Sequence, residues 1–241
     1  MERLLHIENL SASYSKRFDV LSKVNISLAK GEIIAVIGEN GSGKSTLLKS
    51  ICGLLNYSTG SIRLQNKEIK DWDKKEMSKI LSYVSSSEKV NSMILVDEFV
   101  GFGRYPYSNW LAKLSEQDEM HIDDALIACG VAYLKNKMMG QLSDGENQKV
   151  YLARAIAQQT PFIILDEPTT HLDIKSSNAI FKLLRNQKTE NRSILFSSHQ
   201  VEKALQIADK VWLVDCGRVI ETTPKEFLGN DELKQLVFGE E

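Results

Sequence analysis

The chain has 241 residues and a mass of 27.2 kDa, enough for one large domain with an inserted subdomain. Its formal net charge is −2 and its basic residues are scattered, which argues against a nucleic-acid-binding face. No apolar run reaches the roughly 18 residues that a membrane span needs, and the N-terminus lacks the apolar segment of a signal peptide. We therefore expect a cytosolic protein with three free thiols, which acts at a membrane only through a partner.

The apolar pattern of the first 85 residues is that of β-strands around a single helix. Residues 33–37 are all apolar, as in a parallel strand that is covered on both faces. A strand is predicted to start at residues 4–7, and further strands are predicted where apolar residues alternate or cluster, at residues 20–28, 60–65 and 81–84. A helix is predicted over residues 44–55.

Helices dominate the middle of the chain, and strands return after it. Apolar residues at helical spacing predict helices over residues 94–102, 117–129 and 146–158, with a loop at 103–110. Strands and helices are then predicted to alternate, at residues 162–165, 174–188, 193–197, 201–208 and 211–214. Such alternation is typical of an α/β fold with a mainly parallel sheet. We therefore predict one domain over residues 1–241, with residues 1–85 and 161–241 as the α/β core and residues 86–160 as a helical subdomain.

A glycine-rich loop separates the predicted strand 33–37 from the helix that follows it. Residues 38–46 read Gly-Glu-Asn-Gly-Ser-Gly-Lys-Ser-Thr, which matches the P-loop pattern G-x-x-x-x-G-K-[ST]. Glycines let successive backbone N–H groups curl around phosphate oxygens, and the helix N-terminus favours the same anion. We expect Lys44 to reach the β- and γ-phosphates of ATP and Ser45 to ligate Mg²⁺. The predicted ATP-binding residues of this loop are Asn40, Gly41, Ser42, Gly43, Lys44, Ser45 and Thr46.

Two acidic residues and a histidine follow later apolar strands. Asp166 and Glu167 come after the apolar residues 162–165, and in a P-loop protein such an aspartate holds Mg²⁺. Glu167 is expected to polarise the attacking water. His199, which follows the strand predicted at 193–197, is expected to contact the γ-phosphate. Together with Lys44, Glu167 and His199 form the predicted catalytic set.

The segment Leu-Ser-Asp-Gly-Glu at residues 142–146 resembles the LSGGQ signature of the ATP-binding subunits of ABC transporters. With the P-loop, the Asp166–Glu167 pair and His199, it makes the chain similar to that family over essentially its whole length. The resemblance implies a P-loop NTPase core with a mainly parallel sheet, an N-terminal antiparallel β subdomain and an inserted helical subdomain. It also implies an ATPase that uses ATP and Mg²⁺, and the presence of all these residues argues against a catalytically inactive subunit.

The resemblance further implies a head-to-tail dimer that buries two ATP molecules between two copies of the chain. Ser143 can cap the helix that begins near Gly145, and this helix end would serve the ATP bound to the other copy. Asp173, in the place of the family's D-loop, would complete that contact. Asp144 replaces a glycine of the commonest signature, so its charge has to point away from the nucleotide. Tyr14 occupies the place of the adenine-stacking aromatic residue.

One position departs from the family pattern. The family usually carries a glutamine soon after a Tyr-Val strand, where it touches Mg²⁺ or water and links the site to the membrane partner. Here Ser86 stands at that place, and its shorter side chain is expected to reach Mg²⁺ only through a water.

Residues 103–107, Gly-Arg-Tyr-Pro-Tyr, are similar to a segment of the ATPases that serve importers of iron–siderophores, haem and vitamin B12. This resemblance implies a peripheral protein on the cytoplasmic side of the inner (plasma) membrane. Its partners would be a second copy of itself, a polytopic permease and, indirectly, a substrate-binding protein, with no nucleic acid. Two alternatives stay open: another ABC transporter, such as a metal-ion importer or an exporter, and a non-transport clamp protein.

Overall fold

The computed structural model describes residues 3–14, 19–85, 90–108 and 113–238. The strands of these ranges are β1 (Arg3–Ala12), β2 (Leu21–Ala29), β3 (Ile33–Ile37), β4 (Tyr57–Leu64), β5 (Lys67–Glu68), β6 (Leu81–Ser85), β7 (Phe162–Asp166), β8 (Ser193–Ser197), β9 (Lys210–Asp215) and β10 (Arg218–Thr222). The α-helices are α1 (Lys44–Ile51), α2 (Lys74–Met77), α3 (Val96–Gly101), α4 (Glu116–Ala128), α5 (Asp144–Ala157), α6 (Ile174–Gln187), α7 (Val201–Ile207), α8 (Pro224–Gly229) and α9 (Asp231–Phe238). Short 3₁₀ helices lie at Ile69–Asp71, Phe102–Tyr107, Ala132–Leu134 and Met139–Gln141.

The chain divides into two compact units. The first unit consists of residues 1–72 and 188–241, and the second of residues 73–187. The predicted extent of the helical subdomain, residues 86–160, stays a prediction.

The first unit contains two β arrangements. Strands β2, β1, β4 and β5 form an antiparallel sheet in that order. Strand β3 pairs in parallel with both β8 and β9, and β9 pairs antiparallel with β10. Every side chain of β3 is fully buried, which explains why its sequence is continuously apolar instead of alternating. The central position of β3 brings the P-loop out of the middle of this group of strands.

The second unit combines a parallel strand pair with packed helices. Strands β6 and β7 are parallel, with Leu81 opposite Phe162. Helices α3, α4 and α5 contact one another, and the Phe99 ring meets the Tyr151 ring edge-on with 5.0 Å between centroids. The predicted α/β class is confirmed, because both units contain parallel strand pairs, the N-terminal sheet is antiparallel and helices accompany the strands.

Two predicted elements differ from the structure. Helix α1 ends at Ile51 and not at residue 55, because Gly53 adopts a left-handed φ of 64° and the Leu54 N–H donates to the Lys49 carbonyl at 2.9 Å. The predicted loop at 103–110 is a 3₁₀ helix over Phe102–Tyr107. It packs tightly, since a Cβ at Gly103 would lie 2.4 Å from the Arg154 carbonyl oxygen. Residues 109 and 110 lie outside the described ranges.

Candidate active site

The P-loop follows β3 directly and leads into α1. Gly38 has a φ of 146°, and a Cβ there would lie 2.1 Å from the Val214 carbonyl oxygen, so only glycine fits. Gly43 caps α1 with a left-handed φ of 116°. The first turn of α1 carries no acidic residue, so its N-terminal N–H groups and positive dipole end are not offset by a neighbouring carboxylate on the helix. This geometry suits an anion.

Lys44 and Ser42 supply the side chains of the cradle. Lys44 is buried, and its Nζ donates to the carbonyl oxygens of Gly38 and Glu39, both at 2.9 Å. The ammonium group is thus folded over the loop's own backbone, where a phosphate would meet it. Among the described residues, the buried Ser42 hydroxyl has no hydrogen-bond partner, which is costly for a polar atom and fits a site built to receive one. These residues fit a bound nucleotide phosphate.

A cleft of about 400 Å³ opens beside the start of the P-loop. It is lined by Gly38, Glu39, Asn40, His199, Val201, Val237 and Phe238. His199 is exposed at the end of β8 and shares this cleft with the loop. The sequence pattern pointed to His199, but it gave no sign that α9 brings Val237 and Phe238 to the same cleft.

The remaining predicted nucleotide contacts of the first unit differ in exposure. Asn40 and Gly41 are exposed, Ser45 is partly exposed, and Thr46 is buried. Tyr14 lies just after β1 and is 61% exposed, so its ring is available for contact with a flat partner. Its adenine-stacking role stays a prediction.

The acidic pair stands at the end of β7 in the second unit. Asp166 is buried, and the Tyr83 hydroxyl donates to its Oδ2 at 3.4 Å. Glu167 follows with a left-handed φ of 52°, an unusual conformation for a residue with a Cβ. The Thr170 hydroxyl donates to Glu167 Oε2 at 3.1 Å, and the Thr170 N–H donates to the Glu167 carbonyl at 3.2 Å. Backbone strain at a charged residue is typical of functional positions.

The signature segment begins helix α5 with Ser143 as its N-cap. The Ser143 hydroxyl accepts from the Glu146 N–H at 3.3 Å, and the Glu146 carboxylate accepts from the Ser143 N–H at 2.9 Å. This reciprocal capping box confirms that Ser143 caps the helix. The hydrogen bond from the Ser143 backbone N–H and, to a smaller extent, that from the Ser143 hydroxyl hold the pKa of Glu146 below its usual range.

Gly145 and Asp173 both contact Ser176, a residue that was not predicted from the sequence. A Cβ at Gly145 would lie 2.7 Å from the Ser176 hydroxyl oxygen. Asp173 accepts from the Ser176 N–H at 2.8 Å and from the Ser176 hydroxyl at 3.0 Å, which lowers the pKa of Asp173. One hint of this contact could be seen in the sequence. Ser176 follows Asp173 by three positions, which is the spacing between a helix N-cap and the N–H group that it accepts from. Two of the three predicted contacts with a second copy are thus neighbours in space.

Ser86, the remaining predicted residue, lies outside the described ranges.

Comparison with known proteins decides the family. Residues 21–170 match the family described as ABC transporter. The chain belongs to the ABC transporter family. It is a nucleotide-binding subunit that hydrolyses ATP, as predicted. Within the described ranges, every helix is too short or too polar to span a bilayer.

Similarity extends over nearly the full length of several ABC proteins. An uncharacterised ABC transporter ATP-binding protein of Methanocaldococcus jannaschii is 39% identical over 219 residues, covering 90% of this chain and 75% of the relative. The petrobactin import ATP-binding protein YclP of Bacillus subtilis is 33% identical over 235 residues, covering 97% and 92%. A solved structure of a metal-chelate type ABC transporter in an inward-facing conformation superposes with a TM-score of 0.85 at 28% identity, covering 98% of this chain and 89% of that one. The predicted P-loop NTPase fold is therefore confirmed.

Proposed function

We propose that two copies of this subunit close head-to-tail around two ATP molecules and thereby drive a polytopic permease that imports an iron chelate, haem or a cobalamin. The observation that carries the proposal is the Ser143 cap of α5, an exposed hydroxyl at a helix N-terminus in a chain that also has a complete P-loop. Helix N-termini bind phosphate, and the family resemblance assigns this one, whose first turn also carries Asp144 and Glu146, to the ATP of the second copy.

In the proposed site, residues 40–46 surround the phosphates and Tyr14 stacks on the adenine. Lys44 exchanges its contacts with the Gly38 and Glu39 carbonyls for the β- and γ-phosphates. Glu167 orients the attacking water, and His199 contacts the γ-phosphate. Ser143, Gly145 and Asp173 meet the nucleotide of the other copy.

The donor set also suits Mg²⁺. The Ser45 hydroxyl and the Asp166 carboxylate are hard oxygen ligands of the kind that Mg²⁺ prefers, and burial of Asp166 favours pairing its charge. We assign these two residues to the metal, with Ser86 contributing through a water. When bound, Mg²⁺ would neutralise charge on the β- and γ-phosphates.

The transport role rests on the relatives and on one segment of the chain. One relative serves petrobactin import, and one similar structure is of the metal-chelate type. The segment 103–107, which resembles that of siderophore and cobalamin importers, has its Arg104 buried, while Tyr105 is 48% and Tyr107 40% exposed. Two presented tyrosines suit contact with a partner. The subunit would then lie on the cytoplasmic face of the inner (plasma) membrane, and a substrate-binding protein would deliver the cargo.

Light scattering tests the dimer. With ATP, Glu167→Gln should form a stable species near twice 27.2 kDa, because hydrolysis no longer opens it, whereas ADP should leave the monomer. Adding Ser143→Arg should prevent pairing but keep nucleotide binding to the monomer. A dimer that formed with either nucleotide and was unaffected by Ser143→Arg would contradict the shared site.

Uptake by a deletion strain tests the substrate class. Strains expressing the wild-type chain or Lys44→Ala should be supplied separately with labelled ferric siderophore, haem, cobalamin and zinc. We expect loss of uptake of one of the first three, restored only by the wild type. Normal uptake of those three with a defect in zinc uptake would reject the assignment.

A further inference from the structure

The carboxylate of Glu146 is the centre of a hydrogen-bond network around the signature serine. Its Oε2 accepts from both the Ser143 N–H and the Ser143 hydroxyl, each at 2.9 Å. Its Oε1 accepts from the Tyr133 hydroxyl at 3.0 Å. Lys137 lies 6.0 Å from the centre of the Tyr133 ring and adds a favourable charge to Glu146. The carboxylate is therefore held from both oxygens while Ser143 itself stays exposed.

This network commits the only proton of the Ser143 hydroxyl. A serine hydroxyl has one hydrogen to donate, and here Glu146 receives it. A phosphate oxygen carries no hydrogen at neutral pH and can only accept. Ser143 can thus donate to a phosphate only after its hydroxyl has rotated away from Glu146.

We propose that Glu146 is a positioning residue, which holds the Ser143 hydroxyl within the subunit and whose charge sets the ATP concentration at which two copies close. The inference rests on the proposed function, in which Ser143 serves the ATP of the second copy. Glutamine stands at this place in the LSGGQ form of the signature. It would keep an acceptor for the Ser143 N–H but would remove the negative charge and offer N–H donors.

The charge opposes closure for a simple reason. Glu146 Oε2 is 2.9 Å from Ser143 Oγ, so a phosphate bound to that hydroxyl would lie within a few ångström of the carboxylate. Like charges at such a separation repel even in water. The same carboxylate stabilises α5 as part of its capping box. One residue thus supports the helix and restrains its use as a phosphate site.

The test measures ATP-driven dimerisation in the Glu167→Gln background. Light scattering against ATP concentration should give a midpoint for Glu146→Gln that is roughly three- to tenfold lower than for the parent at low salt. The difference should shrink as salt rises towards about 1 M, where charges are screened beyond roughly 3 Å. Nucleotide binding to the monomer, followed with a fluorescent ATP analogue in the Ser143→Arg background, should not change with residue 146.

Asp144→Asn is the matched control. Asp144 is an exposed carboxylate on the same helix end, and among the described residues it makes no hydrogen bond with Ser143. Its removal should shift the midpoint by less than half as much as Glu146→Gln.

The outcomes separate the two ideas. If the parent dimerises with ATP but Glu146→Gln has the same midpoint, a salt-independent shift or the shift of Asp144→Asn, the positioning role is overturned and the proposed function stands. If the parent stays monomeric with ATP, the shared site fails and this inference falls with it.

Discussion

Lys44 and Glu167 carry opposite charges, and the proposed function assigns them to different steps of the same reaction. Lys44 is buried in the loop, so Lys44→Ala should abolish ATP binding. Glu167→Gln preserves size and should keep ATP binding but lower turnover by roughly 10²–10⁴-fold, as loss of a positioned base does. Titration calorimetry and steady-state ATPase rates check both variants. Equal ATP affinity in the two would contradict the division of roles.

Thr170 is placed to orient Glu167, because its hydroxyl donates to the Glu167 carboxylate at 3.1 Å. Thr170→Val keeps the shape and removes that bond, and hydrogen bonds to charged groups are worth about 1.5–3 kcal/mol. We expect turnover to fall by roughly 10- to 100-fold while the KM for ATP is little changed. Thr170→Ser restores the hydroxyl and should recover most of the rate. A valine variant with wild-type turnover would show that Glu167 needs no such support.

At the residue scale, the sequence predicts candidate chemistry but little of the conformation around it. The P-loop pattern selects Lys44, because a lysine at that spacing follows from phosphate binding itself, whereas Ser42 stands where the pattern accepts any residue. It could not show the left-handed φ of Glu167, which lies in the local turn to Thr170, or the contact of Gly145 with Ser176, which joins separate segments of the chain. Positions of that kind become visible only in three dimensions.

Among the elements, continuous apolar runs were the most predictable. The predicted limits of β3 and β8 match the structure, because both strands are fully buried. β3 is apolar throughout, and β8 carries the apolar residues 194–196 between two buried serines. β5 and β10 were missed, since β5 has two residues and β10 is mostly exposed. The terminal helices α8 and α9 were also missed. They have six and eight residues, so neither offers more than about two turns of apolar spacing.

The segment Phe102–Tyr107 is fixed to the helices of the second unit by a buried ion pair. Arg104 Nε donates to Asp118 Oδ1 at 2.8 Å, and Arg104 Nη1 donates to the Ala157 carbonyl at 2.7 Å. Arg104→Leu leaves the Asp118 carboxylate buried without its cation, which should cost about 3–5 kcal/mol of unfolding free energy. Urea denaturation checks this. The exposed pair Lys135–Asp123 is the matched control, and Lys135→Ala should cost less than about 1 kcal/mol.

The same pair predicts a pH dependence. Burial alone would raise the pKa of Asp118, but hydrogen bonds from Ser115 and the charge of Arg104 outweigh it and hold the pKa at about 2. Since the folded pKa lies below the unfolded value, Asp118 adds stability at pH above about 4 and loses it as pH falls towards 2. Asp118→Asn should flatten the decline in unfolding free energy over that range. If the unfolding free energy of Asp118→Asn fell with pH as steeply as that of the wild type, Asp118 would not be the source of the decline.

For the whole molecule, nucleotide binding and pairing should be coupled. A ligand that binds only the folded protein stabilises it by about 2.7 kcal/mol at a hundred times its Kd. If ATP also joins two copies, its stabilisation includes the pairing free energy and must grow with protein concentration, because a dimer is favoured by mass action. We expect ADP to leave the subunit monomeric, so the stabilisation by ADP should not include a pairing free energy.

Thermal unfolding at several protein concentrations separates these two terms. In the Glu167→Gln chain with Mg²⁺ and saturating ATP, the Tm should rise as protein concentration rises, whereas with ADP it should stay constant. Adding Ser143→Arg should keep the rise in Tm that does not depend on protein concentration, since the P-loop is untouched. It should abolish the further rise that does depend on protein concentration. Removing Mg²⁺ with a chelator should lower both contributions to the Tm, that of nucleotide binding and that of pairing, because Ser45 and Asp166 would no longer be joined to the phosphates through the metal. A Tm with ATP that does not depend on protein concentration would mean that each copy binds its nucleotide alone, and that Ser143 has no ATP to serve.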